Sequence, residues 1–150
     1  MADDTVTIEA DAATNDGFAQ ANTQVSVGTN NATGASLYAE MNSNMASNSL
    51  IGSAVPGNTI AETTPGTALS NNSWGYKAYN SAPPASWSAM SVYGTPTLIF
   101  DNNTFCGVAS CPGMNAAGAA DWTFDYGTQV DYTMPVDVYA GTILYTATTN

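Results

Sequence analysis

Apolar and polar residues alternate most strictly near the C-terminal end of the chain. From Gln129 to Met134, Val130, Tyr132 and Met134 fall on one side and Gln129, Asp131 and Thr133 on the other, the period of two that marks a strand with one buried face. Pro135 has no N–H to donate and stops that ladder, Ala140-Gly141 supplies a turn, and Thr142 to Thr148 resumes with Ile143, Tyr145 and Ala147 on one face. Two strands bury too little apolar surface to be stable in water, so the upstream chain must supply more strands and a second layer.

Read from its start, the chain offers several. Thr5 to Ala10 alternates Val6, Ile8 and Ala10 against Thr5, Thr7 and Glu9, a short strand of β-branched residues. Asp11 to Asn22 has Phe18 as its single large apolar side chain and reads as a linker. Thr23 to Val27 and Ala35 to Met41 read as strands, with Val25 and Val27, then Leu37, Ala39 and Met41, facing inward. The turn chemistry of Asn30 to Gly34 between them suggests a hairpin. Asn42 to Asn72 carries short apolar pairs without a helical stripe, so one or two short strands within loops are expected. Ser73 to Tyr79 sets Trp74, Tyr76 and Ala78 on one face, with Trp74 the largest expected core residue. Thr95 to Asp101 and Asn103 to Val108 read as a strand pair turning at Asp101-Asn102, and the small residues of Asn115 to Ala120 suit a short helical turn.

The pattern therefore predicts an all-β, antiparallel two-sheet sandwich of about 8–10 short strands. Its expected core contains Trp74, Tyr76, Val130, Tyr132, Ile143 and Tyr145. Residues 13–150 form one domain on this reading, and residues 1–12 hold an N-terminal strand. No repeat of fixed period supports a solenoid or propeller.

Charge narrows the function. Charged residues are 9% of the chain, against about 25% in ordinary globular proteins, so the polar surface is made of Thr, Ser and Asn. Lys77 is the only base beside twelve Asp and Glu, for a net charge of −11. Such a surface cannot neutralise a run of phosphates or dock on anionic lipid, which argues against nucleic acid and membrane surfaces as partners. No apolar run approaches the roughly 20 residues of a membrane helix. The sequence ADDTVTI after Met1 reads as a mature N-terminus whose export signal has been removed, hence an extracellular protein.

The chain has no His, which removes the commonest general base, the Ser-His and Cys-His nucleophile pairs and the usual transition-metal ligand. Asp121 and Asp125 flank Trp122 as a glycosidase pair would, but no third group tunes either carboxylate, and the chain reads as non-enzymatic. Cys106 and Cys111 are spaced to close a small disulfide loop, with free buried thiols as the alternative. No cofactor is implied. Asp101-Asn102-Asn103 and Asp11-Asn15-Asp16 are the only oxygen clusters that suggest calcium, and neither has the ligand spacing and Gly of a calcium loop. Trp74, Trp87 and Trp122 are candidates for a sugar-stacking platform, and Lys77 for an isopeptide bond.

The segments TNNATGASLYAEM, NSLIGS, LSNNSWGYKAYN and DYGTQVDYTMPVDVYAGTILYTAT together resemble Ig-like modules of exported surface proteins of Candidate Phyla Radiation bacteria. The last two strands are also similar to those that end pilin-like sandwiches. The likeness spans Val25 to Tyr79 and Tyr126 to Thr148, whereas Ala35 stands where an aromatic is expected and Met90 to Ala120 looks like an insertion. The resemblance implies an Ig-like or pilin-like sandwich on the cell surface, structural or adhesive, without catalytic residues. Two functions follow as expectations. One is a filament subunit whose partner is itself, its N-terminal strand Thr5, Val6, Thr7, Ile8 and Glu9 donated to a neighbour by β-strand addition; the same strand simply opening its own sandwich is the alternative. The other is a monomeric adhesion module that binds a glycan or a host protein.

Overall fold

The computed structural model describes residues 8–29, 34–43, 45, 47–102 and 119–150. Nine strands carry the fold among them: β1 (Phe18–Gly28), β2 (Ala35–Met41), β3 (Leu50–Gly52), β4 (Thr59–Glu62), β5 (Ser73–Tyr79), β6 (Thr97–Asn102), β7 (Ala119–Gln129), β8 (Tyr139–Ala140) and β9 (Ile143–Thr149). They form a six-stranded sheet in the order β1-β7-β5-β4-β3-β8 and a three-stranded sheet in the order β6-β2-β9. The protein is an all-β two-sheet sandwich.

The alternation read from the sequence holds where it places aromatic residues. Trp74 and Tyr76 on β5 and Phe124 and Tyr126 on β7 point into the sandwich, and all are buried. Phe124 is the hub, stacked near Tyr76 and Tyr126 in its own sheet and edge-on to Tyr145 of β9, with ring centroids 4.8 Å apart. Phe100 of β6 meets Trp122 of β7 at 5.7 Å. These two cross-sheet contacts, with Leu37, Ala39 and Met41 of β2 between them, close the core. Tyr126 and Tyr145 also share a hydrogen bond from sheet to sheet.

Several expectations are corrected. β1 begins at Phe18, so the last five residues of the supposed linker Asp11–Asn22 are strand; eleven consecutive residues pair with β7 from Phe18↔Gln129 to Gly28↔Ala119. Its Gln and Asn side chains occupy the outer face, and the continuous ladder outweighs their low β-propensity. β1 and β2 are not a hairpin, because they belong to different sheets. Nor is every pair antiparallel: β4 runs parallel to β5 through Ala61↔Ser73 and Glu62↔Trp74. Asp101 and Asn102 extend β6 instead of turning, and Ala119 and Ala120 open β7. Residues 103–108 and 115–118, and with them the rest of the second strand and of the helical turn expected there, lie outside the described residues.

The largest correction concerns Gln129 to Met134. β7 ends at Gln129, and Val130 to Val138 is irregular. Val130 and Trp74 are core as expected, and Ile143 and Tyr145 are partly buried against it, but Tyr132 is 83% exposed. The cause is Asp131. Its Oδ1 accepts the Thr133 N–H at 2.9 Å and the Thr133 hydroxyl at 2.5 Å, while its own N–H donates to Asn72 Oδ1 at 3.0 Å. A side chain that takes the backbone's hydrogen bonds locally competes with the ladder, and here it prevails.

Candidate functional site

Beyond β1 on one side and β9 on the other, the two sheets end among the described residues. Both ends border one groove of about 910 Å³, walled by Thr23 to Val27 of β1 and by Thr142 to Ala147, which includes most of β9, with Leu37 at its floor. Consecutive residues from both strands line it, so main-chain edges as well as side chains face the opening. A second groove of about 1020 Å³ shares Thr23, Ile143 and Tyr145 with the first and continues past Trp74, Tyr126 and Val130.

The N-terminal segment lines this second groove. Ile8, Ala10 and Ala12 pack against the core while Glu9 and Asp11 are exposed. The period of two expected for Thr5 to Glu9 thus persists through Ile8 and Glu9, although residues 8–10 belong to no strand; Thr5, Val6 and Thr7 lie outside the described residues. Ile8 and Glu9 line a groove of their own chain. A tight turn follows. Asp11 accepts the Ala13 N–H at 2.9 Å and the Thr14 hydroxyl at 3.1 Å. Asn15, Asp16 and Gly17 then take φ values of 50°, 54° and 78° in succession. Gly17 is required here, since a Cβ would run into the Val130 carbonyl oxygen. The Val130 N–H donates to the Gly17 carbonyl at 3.0 Å, and the Gln129 side chain donates to the Asp16 carbonyl.

The far wall of the second groove is the irregular segment after β7, fastened by two carboxylates. Besides its own turn, Asp131 accepts Asn71 and Asn72 side-chain N–H groups at 3.1 and 2.9 Å; hydrogen bonds to its charged form, the Thr133 hydroxyl's foremost and then Asn72's, pull its carboxyl down to about 2. Asp137 accepts the N–H groups of Ala54, Val55 and Val138 at 2.9, 3.1 and 2.7 Å, led by Ala54 in lowering its pKa. Held between them, Val136 and Val138 join Tyr132 and Val55 as exposed apolar side chains. Neither fastening was legible as such in the sequence, where Asp131 counted only as a polar strand position.

The other candidates resolve into local roles. Trp74 is buried with its Nε1 donating to the Asn48 carbonyl at 2.9 Å. Trp87 is buried on the outer face of the large sheet over Gly75 and Gly127, and Trp122 is half-buried against Phe100, so the three tryptophans make no shared platform. Lys77 Nζ lies 4.6 Å from the centre of the Trp87 ring, a cation–π contact instead of a carboxylate contact. Asp121 accepts the Ser26 hydroxyl at 2.6 Å and Asp125 the Tyr79 hydroxyl at 3.2 Å. Four residues apart on one strand, the two carboxylates are separated by about 13 Å of rise, beyond the roughly 5–9.5 Å that glycoside hydrolysis uses. Asp11 spends its oxygens on its own turn and Asp101 accepts from Ser36 at 2.9 Å and Asn150 at 3.0 Å. Among the described residues no group of three or more His, Cys, Asp or Glu converges to hold a metal ion. Cys106 and Cys111 lie outside the described residues. Among the described residues no helix is long and apolar enough to cross a membrane.

Comparison with known proteins finds no matching family model, no similar curated protein and no similar solved structure.

Proposed function

We propose that this chain is a non-enzymatic, extracellular structural protein: a pilin-like, Ig-like subunit that polymerises with copies of itself into a cell-surface filament by β-strand addition. The observation that carries the proposal is the groove between β1 and β9, where, among the described residues, both sheets end. A sheet edge offers main-chain N–H and C=O groups to an incoming strand, and alternate side chains of that strand fill apolar pockets below. Val25, Val27, Leu37, Ile143 and Ala147 supply such pockets here. A contact that uses one surface to give and another to receive is heterologous, and where its rotation does not close a ring it propagates as a filament. With a net charge of −11 per subunit, copies repel one another at low salt, so assembly strengthens as ionic strength screens them.

Removal of residues 1–12 tests the proposal. The truncated protein is expected to sediment as monomers and to bind a peptide of residues 5–12, while the full chain forms particles that grow with concentration. A full chain that stays monomeric at high concentration and high salt would contradict the filament. One observation favours a second reading, an adhesion module: Val55, Tyr132, Val136 and Val138 present exposed apolar surface, which suits a protein ligand better than a glycan because no tryptophan stands free beside it.

A further inference from the structure

We infer that the second groove is a binding site for a small amphipathic organic cation, an alkyl- or arylalkylammonium whose apolar body lies along the groove and whose charged head rests at its acidic rim. The inference goes beyond the filament reading and does not depend on it. Residues 8–12 contribute one wall, and the groove's volume of about 1020 Å³ is at the upper end for a small-molecule pocket. Its lining sets the body of the ligand. Ile8, Ile60, Trp74, Val130, Met134 and Ile143 converge there from the N-terminal segment, β4, β5, the segment after β7 and β9. Polar groups among them are already paired: the Tyr126 and Tyr145 hydroxyls with each other, the Thr128 hydroxyl with the Ser73 carbonyl at 3.1 Å and the Trp74 Nε1 with the Asn48 carbonyl at 2.9 Å. A ligand that brought its own polar groups to this depth would leave them without partners, whereas an apolar body gains burial at no such cost.

The head of the ligand follows from charge. Glu9 and Asp11 on one wall and Asp131 and Asp137 on the other are the acids that line the groove, and no basic side chain joins them. None is left to do so, because Lys77 is the only basic residue of the chain and its Nζ lies 4.6 Å from the centre of the Trp87 ring, on the outer face of the large sheet. Hydrogen bonds hold Asp131 and Asp137 ionised well below neutral pH, led by the Thr133 hydroxyl at the first and the Ala54 N–H at the second. Carboxylates on both walls of an apolar cleft attract a cation and repel a carboxylate of the same shape. A neutral molecule of that shape binds through its body alone.

Three probes that share a phenylalkyl body and differ in the head test the inference: phenylbutylammonium, phenylbutanol and phenylbutyrate, each titrated into the full chain with ¹³C-labelled isoleucine methyl groups. Of the five isoleucines, Ile8, Ile60 and Ile143 line the groove and Ile51 and Ile99 do not. At low salt, where the subunits' own charge keeps them apart, the ammonium is expected to shift the first three methyl signals and to leave the other two, with an affinity about tenfold above the carboxylate and the alcohol between them. At about 1 M salt, where the screening length falls to about 3 Å, the three affinities converge. Glu9 is exposed, so Glu9→Gln takes away one charge without disturbing the packing and is expected to weaken the ammonium about twofold while sparing the alcohol. Equal affinities for ammonium and carboxylate at low salt, shifts at Ile51 and Ile99 as large as those in the groove, or no shift at millimolar probe each overturn the site. Sedimentation of the same samples reads filament assembly separately, so a failed site leaves that reading standing.

Discussion

Replacing Trp74 by Ala removes the largest side chain of the core where the second groove borders the large sheet. Trp74 is 2% exposed, and its Nε1 donates to the Asn48 carbonyl at 2.9 Å. Truncation of a buried Trp costs about 3–5 kcal/mol through lost transfer energy and the cavity left behind. Trp74 also borders the second groove, so water can enter the space it vacates. That places the cost near about 3 kcal/mol, the lower end for such truncations. For a chain of 150 residues, each kcal/mol moves the midpoint by about 3 °C, so a fall in Tm of roughly 10 °C is expected by calorimetry. Trp74→Phe keeps most of the buried area and loses only the hydrogen bond and part of the volume, so it should fall by less than half as much. A Tm unchanged within 2 °C in the alanine variant, roughly the shift from well under 1 kcal/mol, would refute the placement of β5 in the core.

Three further outcomes are expected. Asp131 has its pKa lowered to about 2 by hydrogen bonds to its charged form; its contribution is complete above the ordinary carboxylate range near 4 and is lost as pH falls through about 2, so a carboxyl ¹³C titration with an ordinary midpoint would contradict the Asn72–Asp131–Thr133 fastening. Gly127→Ala drives a methyl group into the Trp87 ring, which Lys77 and Phe18 hold in place, at a cost of about 1–3 kcal/mol; a denaturation midpoint equal to wild type would show that Trp87 does not pack over β7. Thiol titration without reductant is expected to find Cys106 and Cys111 bonded, and two free thiols per chain would end that expectation.

What was legible in the sequence was the placement of aromatic residues. Trp74 and Tyr76 declared β5 to the residue, because a WxY pattern at period two has one stable use, facing a core. β1 was half hidden, since Ala19, Gln20, Ala21 and Asn22 carry no strand propensity of their own and are held by the ladder to β7, a contact about 100 residues away in sequence that no local pattern reveals. The segment after Gln129 misled in the opposite sense. Its alternation is strict, but Asp131, Asn72 and Thr133 complete one another's hydrogen bonds only in three dimensions and divert the chain from the sheet. The turn at Asn15-Asp16-Gly17 reads in the sequence only as part of a linker, because the Val130 contact that requires Gly17 is made across more than 100 residues. The groove between β1 and β9 had no local signal, because it is made by the order of strands in two sheets.

Negative-stain electron microscopy of the purified full-length chain, at high concentration and moderate salt, tests the central claim most directly. Unbranched filaments of uniform width are the predicted result, and they should disappear when residues 1–12 are removed. A field of dispersed monomers under the same conditions, with the amide protons of residues 8–12 protected from exchange within each chain, would contradict the claim that this sandwich is built to assemble.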